Sequence, residues 1–373
     1  QSRRTLFNSV KGIFTSDEQL MLNKQSLYPT AGVENTAKFV ENIFSSDTYT
    51  GTGGNLTVTT GIDTLNEGGL IWLKDRDNAI SHGLFDTVRG TNQQLLSNTD
   101  GASEDGSSSN NRLYEFTSTG FKVGDHDFGG NNRKYVAWTF RKAPKFFDVV
   151  QYSGTGSQQS IAHNLGATPG MIIHKRTDTN EDWRVYHRMA NGGSSPEDYI
   201  IQLNGDSAYS NDNTNFGAPT STHFVVKTSS GTNNGSGTYI AYLFGHDTSS
   251  DGMIQCGSYT GDGGSSNSVN LGFEPQWVLI KAATNTGSTD NWVILDNMRG
   301  IAAQNDDERL YPNRDIAAQN AGGITLTPSG FFIESNNEYN SSGATYIYMA
   351  IRRGPMKTPT TRASVFDCEV GGS

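Results

Sequence analysis

Short apolar runs, each closing on a polar or charged residue and separated by Gly-, Ser- and Asn-rich stretches, recur along the whole chain. "GLIWLKDR" from Gly69, "GMIIHKRTD" from Gly170 and "QWVLIKAAT" from Gln276 are three of them, and each reaches a lysine after the apolar stretch. Runs this short, bounded by turn formers and without a 3.6-residue period, predict buried β-strands. In "YVAWTF" from Tyr135, period-2 alternation puts Tyr135, Ala137 and Thr139 on one face and Val136, Trp138 and Phe140 on the other. Neither face carries charge, so the strand is expected to be covered on both sides, as in the middle of a two-sheet sandwich.

The same phrases return three times. Openings "YTGTGG" at Tyr49, "YSGTGS" at Tyr152 and "YTGDGG" at Tyr259 precede closings at Tyr135, Tyr239 and Tyr346, with roughly 86 to 87 residues between the two tyrosines each time. Between them come the lysine runs, then "HGLFDTVRG", "WRVYHRMANG" and "WVILDNMRG", then a polar excursion, then "STGFKVG", "STHFVVK" and "PSGFFIE". A register held over that distance is a triplication. Solenoid units and propeller blades are shorter, so the expected fold is all-β: three tandem β-sandwich, jelly-roll-like modules of about 100 residues, each self-contained though free to pack on its neighbours. The expected boundaries are an N-terminal arm over 1–38, modules over 39–144, 145–248 and 249–355, and an extended tail over 356–373 marked by Pro355 and Pro359.

Composition narrows the function classes. The 43 glycines and 18% charged residues suit many short strands and turns, and 10% aromatics argue for packed cores rather than disorder. A formal charge of −10 disfavours nucleic acid as a partner. No apolar run is long enough to span a membrane, and the first residues lack the apolar core of a signal peptide. Cys256 and Cys368 are too few and too far apart for a disulfide framework, and are expected as free thiols.

Candidate chemistry is sparse. There is no Gly-x-Ser-x-Gly elbow between a strand and a helix, and the Gly-rich openings lack the Lys-Ser/Thr and helix of a phosphate loop, so they are expected as hairpin turns. Asp125, His126 and Asp127 could hold a divalent cation, but the equivalent turns of the other repeats lack the pattern. Trp72, Trp183, Trp277 and Trp292 could stack on sugar, yet sit inside apolar runs and are expected to be buried. His163 and His174 are expected as strand-end polar residues, without partners at metal-ligand spacing. No catalytic, cofactor-binding or metal residue is assigned, and the chain is expected not to be an enzyme. The excursions, approximately Thr91–Thr119, Asn191–Thr220 and Ile301–Thr327, are the best places for recognition; the competing expectation is that they are tolerated insertions or that they pack between modules.

The Tyr-(Thr/Ser)-Gly-x-Gly openings, "LGATPGMIIHKRTDTNEDWRVYH" from Leu165, "GTYIAYLF" from Gly237 and "YVAWTFRKAP" from Tyr135 resemble repeats in virion structural proteins of marine tailed bacteriophages, cyanophages included. The resemblance runs from about Phe39 to Pro355. It implies a virion component assembled in the host cytoplasm. A tail fibre, spike or similar appendage presenting loops to host-surface glycan is the first expectation; a capsid or tail decoration protein is the alternative, and a glycan-degrading enzyme a third. The implied partners are other virion proteins and further copies of the chain in a trimer or other ring. No ligand or catalytic residues come with it.

Overall fold

The computed structural model describes residues 39–106, 112–264, 267–284, 290–301, 307–334 and 338–354. The arm over 1–38, the tail over 356–373 and Cys368 lie outside the described residues. The fold is all-β, built of antiparallel sheets.

The first repeat contributes β1 (Phe44–Thr50), β2 (Leu56–Thr59), β3 (Gly69–Asp75), β4 (Gly83–Asp86), β5 (Gln93–Leu96), β6 (Glu104–Asp105), β7 (Leu113–Thr117), β8 (Gly120–Val123) and β9 (Lys134–Arg141). The second has β10 (Phe147–Ser153), β11 (Gln159–Ala162), β12 (Met171–Arg176), β13 (Arg184–His187), β14 (Tyr199–Ile200), β15 (Ser210–Asn211), β16 (Phe216–Gly217), β17 (His223–Val226) and β18 (Thr238–Phe244). The third has β19 (Ile254–Thr260), β20 (Asn267–Asn270), β21 (Pro275–Ala282), β22 (Trp292–Asp296), β23 (Asp307–Arg309), β24 (Gln319–Ala321), β25 (Ile324–Thr327), β26 (Gly330–Ile333) and β27 (Thr345–Arg352).

Each repeat forms one larger sheet, with orders β1-β9-β3-β4, β10-β18-β12-β13 and β19-β27-β21-β22, the first extended by β5 and β6. A three-stranded sheet accompanies each: β2-β8-β7, β11-β17-β16 and β20-β26-β25. Both sheets of a repeat feed one buried cluster. In the first repeat Ile71, Leu73, Tyr135 and Ala137 meet Val58, Leu113, Phe121 and Val123, and the other two repeats have their own clusters.

The tyrosine phrases have a direct physical cause. Tyr49 stands opposite Tyr135, Tyr152 opposite Tyr239 and Tyr259 opposite Tyr346 across neighbouring strands. Their rings stack at 5.1, 5.2 and 5.0 Å. The first tyrosine of each pair donates its hydroxyl to a carbonyl in the turn before the closing strand, that of Phe128, Thr232 or Tyr339. The second accepts an N–H from the same turn, of Gly130, Asn234 or Ser341. Each stack thus ties the segment after the opening strand to the turn before the closing one.

The glycine motif belongs to the same knot. A Cβ on Gly51, Gly154 or Gly261 would lie 2.2, 2.0 or 2.2 Å from a backbone oxygen of that turn. Two residues on, Gly53, Gly156 and Gly263 take φ of 75, 73 and 70°, the left-handed region. These segments are not hairpin turns, as the sequence pattern suggested. β1 and β2 belong to different sheets, and so do their counterparts, so the glycines carry the chain from one sheet to the other. Gly154→Ala is expected to cost at least about 2 kcal/mol, because backbone has to part to admit the methyl. Gly54→Ala, where nothing lies within 4 Å, is expected to stay within about 0.5 kcal/mol. Urea unfolding of the two variants checks this, and equal midpoints would count against the knot.

Strand pairing is completed inside each repeat, but burial is not. Residues from Phe39 onward form one compact unit. The second face of the closing strands, Trp138 and Phe140 in β9, packs on Phe244 of the second repeat and Trp277 of the third, with ring centroids 5.5 to 6.4 Å apart. The expected double coverage of this strand is present, although its outer cover comes from the other repeats. The expectation of self-contained modules is therefore corrected to three units sharing an aromatic core.

Candidate functional site at the junctions between repeats

Four tryptophans singled out in the sequence, Trp72, Trp183, Trp277 and Trp292, are fully buried. Three show what they do: Trp72 Nε1 donates to His82 Nδ1 at 3.0 Å, Trp183 Nε1 to the Leu96 carbonyl of the first repeat at 3.0 Å, and Trp292 Nε1 to the Gln202 carbonyl of the second at 2.8 Å. The bonds of Trp183 and Trp292 hold repeats together, whereas that of Trp72 stays within the first repeat. Asp125, His126 and Asp127 lie on a turn where Asp127 sits 3.0 Å from His126 Nδ1 and 3.7 Å from Arg112 Nε. Among the described residues no group of three His, Cys, Asp or Glu side chains could hold a metal.

His163 follows β11 and contacts the Thr220 carbonyl at 3.2 Å. His174 is not a strand-end residue: it lies within β12, fully buried, bonded to the Tyr152 hydroxyl and stacked on Tyr239. Cys256 is a buried free thiol in β19, and burial pushes its pKa up, away from thiolate chemistry.

The excursions carry the strongest pattern, and the middle of each clasps the next repeat. Ser103 N–H donates to Thr177 O, Tyr209 N–H to Ala283 O and Ala318 N–H to Arg76 O, at 2.9, 3.0 and 2.9 Å. These contacts run from repeat 1 to 2, from 2 to 3 and from 3 back to 1, so the set closes as a ring. Each acceptor lies two residues past the lysine of its apolar run. Lys74, Lys175 and Lys281 are all fully buried. Lys175 Nζ donates to the Asp100 carbonyl and Lys281 Nζ to the Asp206 carbonyl, both at 3.1 Å and both across a junction. Lys74 bonds the Asp75 and Asn78 carbonyls and feels the charge of Asp315. Asp100, Asp206 and Asp315 each sit three residues before a clasping N–H, so the three junctions share one plan.

A second ring follows the apolar faces. Tyr242 donates to Asp86 Oδ2 at 2.8 Å, Trp138 Nε1 to Asp296 Oδ2 at 2.9 Å, and His187 Nε2 lies 3.1 Å from the Tyr348 carbonyl. Asp86, His187 and Asp296 occupy the same place in their repeats. Each aspartate is paired with a buried arginine, Arg89 at 2.6 Å and Arg299 at 2.7 Å. At the closing junction Arg76 of the first repeat makes a two-pronged ion pair with Glu308 of the third, and a Cβ on Gly354 would meet Glu41 Oε2 at 2.8 Å. The last described residue therefore lies against the beginning of the first repeat.

The model of a domain of unknown function, DUF7483, matches residues 40–355, all three repeats together. The chain belongs to the DUF7483 family. No curated protein matches it. The matched span of the DUF7483 domain coincides with the ring of repeats, consistent with the three acting as one unit.

Burial lowers the three lysine amines of the DUF7483 domain from 10.5 to about 8. Their folded pKa lies below the unfolded one, so the folded state disfavours the charged form, and stability rises as pH climbs from about 8 toward the unfolded value. Each lysine is expected to add up to about 2.5 kcal/mol between pH 8 and 10. Above about pH 10 the buried tyrosines, raised in pKa by burial, pull the other way. Urea midpoints measured across this window should rise, and Lys281→Met should remove about a third of the slope; a flat profile would refute it.

Proposed function

We propose that the DUF7483 domain is a non-catalytic structural block of a bacteriophage particle, whose ring of three repeats supplies rigidity within a tail or capsid assembly. The observation that carries this reading is the use of the excursions. Loops of this length on a β-scaffold are favoured places for recognition, yet here their backbone and side chains clasp the neighbouring repeat. Buried Lys175, Lys281, Asp86, His187 and Asp296 are likewise bonded across junctions. No helix among the described residues is long and apolar enough to cross a membrane.

The virion assignment rests on the resemblance of the repeat phrases to phage structural proteins, and further copies of the chain and other virion proteins are the partners it proposes. A second reading, host-surface glycan recognition by an appendage, draws support from one place. Tyr199 and Tyr209, on the hairpin of β14 and β15, pair edge-to-face at 5.2 Å and are only partly buried, a surface able to stack on sugar.

Particles carrying Asp296→Asn or Tyr199→Ala in this chain distinguish the two. The structural reading expects the first variant to lower the temperature at which particles release their genome, and the second to leave adsorption to host cells unchanged. Adsorption lost in Tyr199→Ala particles of normal thermal stability would reverse the preference, and absence of the chain from purified particles would end both.

A further inference from the structure

The three-fold plan of the domain allows each repeat to serve as a control for the others, and one position breaks the pattern. Seven residues after the closing tyrosine stand Lys142, His246 and Arg353. In the first repeat the Lys142 side chain lies over Gly68, its Cδ 3.0 Å from where a Cβ would be, and its amine pairs with Asp148 at 2.9 Å. In the third, Arg353 pairs with Glu274 at 2.5 Å. Both places hold a cation neutralised by a carboxylate.

The second repeat has His246 instead, and there a cavity of about 350 Å³ opens, lined by Ala167, Thr168, Pro169, Tyr186, Arg188 and His246. The cation here is Arg188, just past β13. Its contacts are the Cys256 carbonyl at 3.4 Å and the Met189 sulfur at 3.6 Å, and among the described residues it makes no ion pair. The nearby acids are engaged elsewhere or outside the lining: Asp247 pairs with Lys145, and Glu197 acts on Tyr186 without lining the cavity. His246 Nδ1 accepts the Cys256 N–H at 3.1 Å, which assigns the ring proton to Nε2 and leaves that N–H as a donor. Burial and Arg188 hold the His246 pKa down at about 4, so the imidazole is neutral.

We propose that this cavity binds a small organic carboxylate of the size of an acidic monosaccharide, with the ligand carboxylate supplying to Arg188 the acid that Asp148 supplies to Lys142 and Glu274 to Arg353. A guanidinium matches a carboxylate in two-pronged geometry. The volume is at the small end for ligand sites, enough for one sugar ring. Pro169 and Ala167 offer an apolar wall, while the Thr168 and Tyr186 hydroxyls and the His246 N–H offer polar contacts for ring hydroxyls. The inference stands apart from the virion reading and survives if that reading fails.

The test is calorimetric or NMR titration of the full chain with glucuronate, glucose and inorganic phosphate. Saturable glucuronate binding with a dissociation constant of order millimolar is expected, with glucose and phosphate at least tenfold weaker. Arg188→Gln should weaken glucuronate at least tenfold. Thr168→Trp, at an exposed rim position where folding is not at stake, should block the cavity and do the same, while Arg353→Gln should change nothing. No saturation by about 20 mM glucuronate, phosphate or glucose binding as tightly, or glucuronate binding retained by both Arg188→Gln and Thr168→Trp would overturn the proposal.

Discussion

Between pH 7.5 and pH 5 the domain is expected to lose about 4 kcal/mol of stability through the buried imidazoles of His174 and His187, with His82 adding to the loss in the same direction. His82, His174 and His187 are each fully buried, and each is surrounded by cations. Burial, then Lys74 and Arg299, holds His82 well below its ordinary 6.5. Burial, then Lys175 and Arg184, takes His174 to about 3. Burial outweighs a bond to the Tyr348 carbonyl and, helped by Arg188, takes His187 to about 3. A folded pKa below the unfolded one leaves the native state short of protons once the medium passes below the unfolded value. The stability these neutral rings contribute is therefore complete above pH 6.5 and drains away as pH falls toward 3.

His174 and His187 together give a slope of about 2.7 kcal/mol per pH unit below pH 6, which His82 steepens. Set against the 5–15 kcal/mol typical of whole domains, that is a large share of the total, lost in mild acid. Urea midpoints at pH 7.5, 6 and 5 measure it directly. His187→Gln, whose amide can still donate to the Tyr348 carbonyl, should reduce the slope by about a third. Midpoints that stay level over this range would mean that the imidazoles are hydrated in solution and the junctions looser than described.

Asp296→Ala is expected to cost about 3–5 kcal/mol, the range for breaking a buried ion pair from one side. The carboxylate accepts from Trp138 Nε1, from Arg299 Nε and from the Met298 and Arg299 N–H groups. The Arg299 side chain is wholly inaccessible to solvent, so without Asp296 its charge is stranded where the first and third repeats meet. Trp138→Phe removes only one donor and a part of the packing, and should cost less. A double-mutant cycle on the pair should show coupling of about 1 kcal/mol or more, since the two residues share a hydrogen bond. If Asp296→Ala proved milder than about 1 kcal/mol, the closing junction would not be a principal source of stability. Asp86, with Arg89 and Tyr242, offers the same experiment between the first and second repeats.

The two results bear on one question, whether the repeats are joined like beads or closed like a ring. Beads would tolerate Asp296→Ala in the third repeat with no effect on the first. A ring would not, because Trp138 of the first repeat depends on that carboxylate. Limited proteolysis of the variant should therefore expose first-repeat strands as well as third-repeat ones.

What the sequence determined by itself was everything governed by short spacing or by exact repetition. Period-2 alternation revealed β9 and its counterparts, and the near-constant distance between tyrosines located both members of each stacked pair, because strand neighbours face one another at a fixed register. The burial of four tryptophans followed from their place inside apolar runs. What only the tertiary structure decided was the partner of each buried polar group. Lys175 and Asp100, Trp138 and Asp296, and His187 and Tyr348 are joined across repeats, and no spacing rule links residues whose distance depends on how whole sheets pack. The same cause hid the sheet-crossing role of the glycine openings and the burial of His174. The cavity beside Arg188 was hidden most deeply, since it lies where a cation has no carboxylate of the kind that partners Lys142 and Arg353.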